Sequence, residues 1–268
     1  MLRSRRWLGF LALAAAFAVA AVLLGRWQWH RHEDRVANAD RVNAHYDAPP
    51  VPLASVLASP DSPMTQAQEW RRVTATGQYR PDSLLLVRNR PHEGVYGYEV
   101  LVPLDLTGGG TLLVNRGWVP NAESAATVPD VPATPSGTVT VTGWLRPGEP
   151  DLGRDLPPGQ LASVNLADAR AQIGTDLYDA YLVRGAEVGT AGQPIEAPAA
   201  LERPDTDLGP HLAYAVQWWL AVPAGFVLEF FGVRREWRDG VAGAVAGEGE
   251  PVPAARPRKV RVWDEEDG

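Results

Sequence analysis

The amino-acid sequence predicts an α+β membrane protein, with two transmembrane helices flanking an antiparallel β-rich extracytoplasmic domain. Three observations predict it. Residues 8–24 form an unbroken apolar run, and residues 211–232 form a second long segment with no charge before Glu229. Between them, short β-like runs alternate with turn residues. The organisation read from this pattern is a cytoplasmic N-terminus (1–7), a first transmembrane helix (8–25), an extracytoplasmic domain entered by a helical linker (26–210), a second transmembrane helix (211–232) and a disordered cytoplasmic tail (233–268).

Composition narrows the chemistry. The chain has 268 residues, 45% of them hydrophobic, enough for a sizeable core. It contains no cysteine, which excludes disulfide frameworks, zinc ribbons, iron–sulfur clusters and covalent c-type haem. Met1 and Met64 are the only methionines, too few for a soft-ligand copper carrier. A net charge of −7 argues against nucleic-acid binding. Lys259 is the only lysine, a bias expected of a GC-rich bacterial genome.

The first apolar run reaches about 26 Å as a helix, just long enough to span a bilayer with snorkelling flanks. Arg3, Arg5, Arg6 and Trp7 precede it; Trp27 and Trp29 follow it at interfacial positions. A cleaved signal peptide would need small residues at its end, whereas this run ends in Leu-Leu-Gly-Arg-Trp-Gln-Trp, so an uncleaved anchor is the better reading. The second segment carries Pro223 in its interior and Arg234, Arg235 and Arg238 beyond it. Arginine flanks at both ends place both termini in the cytoplasm and make this a multi-pass protein of the bacterial cell membrane. The region between holds 15 arginines against 23 acidic residues, and long domains translocate regardless of such charge.

Residues 31–46 are polar and continue the first helix; residues 48–62, rich in Pro, Ala and Ser, form a linker. Strands are predicted over 70–76, 83–88, 96–103, 112–119, 138–145 and 181–184. Gly108-Gly109-Gly110 is a hairpin connection. Asn165, the run 166–173 and Gly174 supply an N-cap, a short helix and a C-cap. Short links and few helices favour an antiparallel sheet or small barrel. The tail from Gly240 is rich in Gly, Ala and Pro, then mixed in charge, a composition that stays disordered.

No hydrolase, zinc-protease, phosphate-loop or dinucleotide motif is present, and the acidic residues are scattered, so an enzyme is not supported. His30 and His32 stand two apart on a helix and point apart, a poor metal pair. His211 is different. It shares a helical face with Tyr214, Ala215 and Trp218, and that face begins at the membrane surface. On the residues alone an interfacial histidine in an aromatic belt is the better reading; such an imidazole also suits axial ligation of a haem iron against a flat apolar ring.

Four fragments carry a family resemblance. They are Leu24-Gly25-Arg26-Trp27-Gln28-Trp29-His30-Arg31; Trp70-Arg71-Arg72-Val73-Thr74-Ala75-Thr76-Gly77; Gly97-Tyr98-Glu99-Val100 with Leu113-Val114-Asn115-Arg116-Gly117-Trp118-Val119-Pro120; and Gly209-Pro210-His211-Leu212-Ala213-Tyr214-Ala215-Val216-Gln217-Trp218. In this order, with a span at each end, the chain resembles the surfeit-locus family of cytochrome c oxidase assembly factors. The departures lie around residues 129–135 and 147–159 and in the tail.

The resemblance implies a non-enzymatic, chaperone-like factor that assists delivery or insertion of haem a into the catalytic subunit of an aa3-type oxidase. Its implied partners are the oxidase catalytic subunit, the haem a synthase and the lipid bilayer, with no nucleic acid. It carries the role of haem-iron ligand onto His211. Trp27, Gln28 and Arg31 would line the same pocket, Arg31 pairing with a propionate. Tyr214 and Gln217 would hydrogen-bond across the helices or to the propionates, with Trp218 against the ring. The rival reading is an oxidase-subunit-binding scaffold that holds no haem. Arg116 either satisfies groups within the domain or contacts an oxidase subunit.

Overall fold

The computed structural model describes residues 5–122, 127–190 and 195–247. The chain divides into two compact units, one of residues 1–32 with 209–268, the other of residues 33–208.

The second unit is a mixed β structure. Its strands are β1 (Val51–Pro52), β2 (Arg72–Tyr79), β3 (Leu85–His92), β4 (Val95–Leu106), β5 (Thr111–Pro120), β6 (Thr138–Arg146), β7 (Gln160–Leu161) and β8 (Leu177–Gly189). They form one sheet in the order β1-β2-β6-β8-β5-β4-β3-β7, and a further β2–β4 pairing closes five of them into a ring. That closure removes the open edges of β2 and β4. The expected antiparallel sheet needs correction, because β5 and β8 pair in parallel, as do β1 with β2 and β3 with β7. The parallel β5–β8 pair follows from the chain returning through β6, β7 and α2 (Leu166–Ile173) before β8 begins.

Period-two alternation sorts side chains between two cores. Leu112 and Val114 of β5, with Ala180 and Leu182 of β8, enter one cluster with Val73, Val141 and Leu145. Their neighbours Leu113, Tyr181 and Val183 face the second cluster, which Leu166 and Ala169 of α2 help to cover. The caps of α2 are those expected: Asn165 Oδ1 accepts from Asp168 N–H at 3.0 Å, and Gly174 adopts φ 72°. Thr107–Gly110 makes the expected turn between β4 and β5.

The C-terminal part of helix α1 (Arg5–His45) belongs to this unit and ends on an aromatic clamp. Tyr46 stacks on Trp144, and Arg146 lies over Trp70 with its guanidinium carbon 4.2 Å from the ring centroid. Arg41 and Arg146 both pair with Glu69, and His45 Nδ1–H donates to Glu69 O at 3.0 Å.

The first unit pairs the N-terminal part of α1 with α3 (His211–Ala221) and α4 (Ala224–Gly247). Two stretches, Arg5–His45 and His211–Ala242, are long and apolar enough to cross a membrane. The second segment, expected as one helix, is broken at Val222 and Pro223. Pro223 has no N–H for the next helical bond, and Val222 N–H instead turns tightly onto Trp219 O at 3.3 Å. Residues 233–247, expected as part of the disordered tail, are helical and belong to α4; the rest of that tail lies outside the described residues.

Candidate functional site

Two of the residues singled out at the apolar segments, His211 and Gln28, meet within the first unit. His211, the first residue of α3, is half-buried and bonded to Gln28 of α1, with 2.9 Å between Nδ1 and Oε1. An amide oxygen only accepts, so Nδ1–H is the donor in this contact. One turn along α3, Ala215 is fully buried, and Trp218 is half-buried on the next turn.

Trp219 completes the interface. Its ring lies 5.8 Å from that of Trp29 and covers Gly25 so closely that a Cβ there would strike the indole. Further along, a Cβ on Gly225 would lie 3.2 Å from Ala14 Cβ, and Trp7 Nε1–H donates to Glu236 Oε2 at 2.7 Å. These contacts run in opposite order along the two segments, so the helices are antiparallel.

Other expected residues sit differently. Arg31 and Trp27 are exposed and pair with each other, the guanidinium carbon 5.9 Å from the indole centroid. Tyr214 and Gln217 are exposed, and a cross-helix hydrogen bond is made by His211 and Gln28. His30 and His32 point apart as expected: His30 is exposed, while His32 is half-buried with its Nδ1 lacking a hydrogen-bond partner among the described residues. Sequence reasoning missed Trp219 and Gly25. Trp219 stands at i+8 from His211 through Ala215, a stripe that helical periodicity already contains.

The β unit carries one buried and one half-buried polar network. Arg116, with no exposed surface, pairs with Glu187 at 2.8 Å and donates to Glu196 O at 3.1 Å. Its guanidinium lies over Tyr79. Burial, reinforced by the Glu187 carboxylate, holds the Tyr79 phenol well above its usual range. Arg116 therefore satisfies groups within the domain, the first of its two expected roles. Gly117, next in the strand, has φ 133° and lets Ala199 O approach where a side chain would stand.

In the second network Arg90 pairs with both Glu99 and Glu149, and Glu99 accepts from Asn115 Nδ2 at 2.7 Å. Burial pushes Glu99 up despite the opposing field of Arg90. Arg90 itself is raised by its two carboxylates in spite of its burial.

Residues 15–222 match the model of the SURF1 family. This chain belongs to the SURF1 family. It is 37% identical over 219 residues to SURF1-like proteins of Mycobacterium bovis and Mycobacterium tuberculosis, covering 79% of this chain and 78% of theirs. A SURF1-like protein of Dictyostelium discoideum is 29% identical over 106 residues, 38% of this chain and 39% of that one. The SURF1 family is tied to cytochrome oxidase assembly. The SURF1 match begins within α1, crosses the β unit and ends just past α3, so it contains His211, Gln28 and the other expected site residues. All of α4 lies beyond it.

Proposed function

We propose that this SURF1 protein is a membrane-bound, non-enzymatic assembly factor of an aa3-type cytochrome c oxidase. It assists delivery or insertion of haem a into the catalytic subunit. In this reading both termini are cytoplasmic, the β unit faces the extracytoplasmic space, and haem a is cargo passed on from the haem a synthase. The observation that carries it is the imidazole of His211, bonded through Nδ1 at the head of an apolar helix with Nε2 left to ligate. Metal-ligating histidines are commonly oriented through the other ring nitrogen in this way.

The surrounding residues fit such a cargo. Trp218, half-buried two turns along α3, offers a flat apolar face. Arg31 and Trp27 stand on the polar side of the first apolar run, where a propionate would be paired. A single imidazole ligand favours release, and a long apolar tail would remain in lipid.

The test is the absorbance spectrum and haem content of detergent-purified protein co-produced with the haem a pathway, beside His211→Ala. Haem a retained by the parent and lost by the variant is expected. A folded parent without haem would replace this reading with a scaffold that binds oxidase subunits only. Arg31→Ala should lower retention; unchanged retention removes its propionate role.

A further inference from the structure

We infer that Gln28 is the positioning residue of His211: its side-chain oxygen fixes the imidazole as the Nδ1–H tautomer and so presents Nε2. The inference rests on the proposed haem-binding role for its consequence, although the tautomer itself does not depend on haem.

The geometry has three parts. First, the bond joins residues 183 apart in sequence, at 2.9 Å, between a position one helical turn beyond the apolar run and the first residue of α3. His211 therefore enters α3 with its ring tied to the other helix. Second, the register that brings these two residues together is held independently of the bond. Trp219 seated on Gly25 and against Trp29, and Gly225 against Ala14, fix how far one helix can slide along the other. Third, a neutral imidazole has one N–H, and its place decides which nitrogen can ligate. An acceptor at Nδ1 stabilises Nδ1–H and leaves Nε2 basic. Without that acceptor both tautomers are available, and part of the population would direct an N–H where a metal must sit.

The choice of an amide is informative. A carboxylate at position 28 would hold the ring in the same tautomer but polarise it further, making a more basic, tighter ligand. A neutral amide orients without that gain, which suits a site that must release what it holds. Gln28 is then more than interhelical glue. A structural role alone predicts that any loss of the bond costs the helix pair a little stability and nothing else.

Two measurements separate these outcomes. Nitrogen NMR of His211 in the detergent-solubilised full chain without haem, at a pH near 8 where an imidazole is mostly neutral, should show Nδ1 as the protonated nitrogen. Gln28→Leu should yield a mixture of tautomers, and Gln28→Glu should restore the single Nδ1–H form. A parent protein with Nε2–H, or with the same mixture as Gln28→Leu, overturns the inference whatever haem does.

Haem a retention is the second readout. Gln28→Leu should lower affinity about 10- to 100-fold, whereas Gln28→Glu should retain haem at least as well as the parent, with a more negative iron midpoint potential. Equal retention and potential in the Leu and Glu variants would also overturn it. If the parent has the Nδ1–H tautomer but takes up no haem, the carrier reading fails and the positioning of His211 by Gln28 stands.

Discussion

Tyr46 lies flat on Trp144, their ring centroids 4.2 Å apart and their planes 8° from parallel, while Trp144 Nε1–H donates to the carbonyl of Tyr46 at 2.8 Å. This contact fastens the polar end of α1 to strand β6, and Arg203 closes over the other ring with its guanidinium carbon 4.6 Å from the Tyr46 centroid. The stack combines apolar burial with an oriented hydrogen bond, so the two contributions can be separated. Trp144→Phe keeps an aromatic face and removes the N–H, which should cost about 1 kcal/mol. Trp144→Ala removes both from a half-buried site and should cost about 2 kcal/mol. Thermal unfolding of the full chain followed by near-ultraviolet circular dichroism would rank the two; equal losses would mean that the stack itself contributes nothing.

Arg116 and Glu187 make a different kind of contact, an ion pair with side-chain exposures of 0% and 1%. Removing one partner strands the other charge in the interior. Arg116→Ala should therefore lose about 3–5 kcal/mol. An apolar double replacement, Arg116→Met with Glu187→Leu, strands neither charge and should recover much of that loss. Denaturant midpoints of the three proteins would test the point. An Arg116→Ala protein of parental stability would mean that the ion pair contributes nothing to the fold.

Two carboxylates should respond to pH with opposite sign. Glu99 is raised by burial, so its contribution is fullest in acid and is lost as pH rises through its elevated titration range. Asp105 feels some burial, but hydrogen bonds from Arg80 at 2.6 Å and Thr111 at 2.8 Å win and lower it. Its contribution is present above the usual aspartate range, near about 4, and is lost as pH falls through its depressed range. Asp105→Asn should thus destabilise at neutral pH by less than about 1 kcal/mol, given its exposure, with the gap closing in acid. Glu99→Gln removes a charge that burial disfavours, so its stability relative to the parent should improve from acid to neutral pH. Unfolding midpoints between about pH 3 and 7 would show the two trends; parallel slopes would refute the assignment.

Much of this fold is legible in local sequence. Val139, Val141 and Leu145 alternate with half-buried threonines and Trp144, so β6 reads as a strand before any pairing is known. Asn165 and Gly174 mark α2 at both ends for steric and hydrogen-bonding reasons that are local. Residues whose state depends on distant partners are not legible in this way. Val51–Pro52 and Gln160–Leu161 are strands only because β2 and β3 offer them edges. The start of β8 at Leu177, ahead of the run 181–184, depends on pairing with Thr111 across the parallel junction. The site divides likewise. His211 and Gln28 each stand out in their own segment, but the bond between them exists only once the register of two antiparallel helices is fixed. Trp219 and Gly25 set that register, and no property of either residue alone announces it.

That register is itself testable, because the chain has no cysteine and any introduced pair reports without interference. A Cβ on Gly225 would lie 3.2 Å from Ala14 Cβ, slightly inside the roughly 3.5–4.5 Å spanned by a disulfide, and a small relaxation of the helices would accommodate it. Ala14→Cys with Gly225→Cys should close an intramolecular disulfide under a membrane-permeant oxidant, read as a mobility shift on non-reducing electrophoresis. Ala14→Cys with Leu220→Cys is the control, since Leu220 is 72% exposed and lies more than a helical turn from Gly225 along the segment. Efficient closure of the first pair alone would support the antiparallel register that joins His211 to Gln28. Closure of both pairs to the same extent, or of the control alone, would mean that the helices slide, and a sliding pair could not hold one imidazole tautomer.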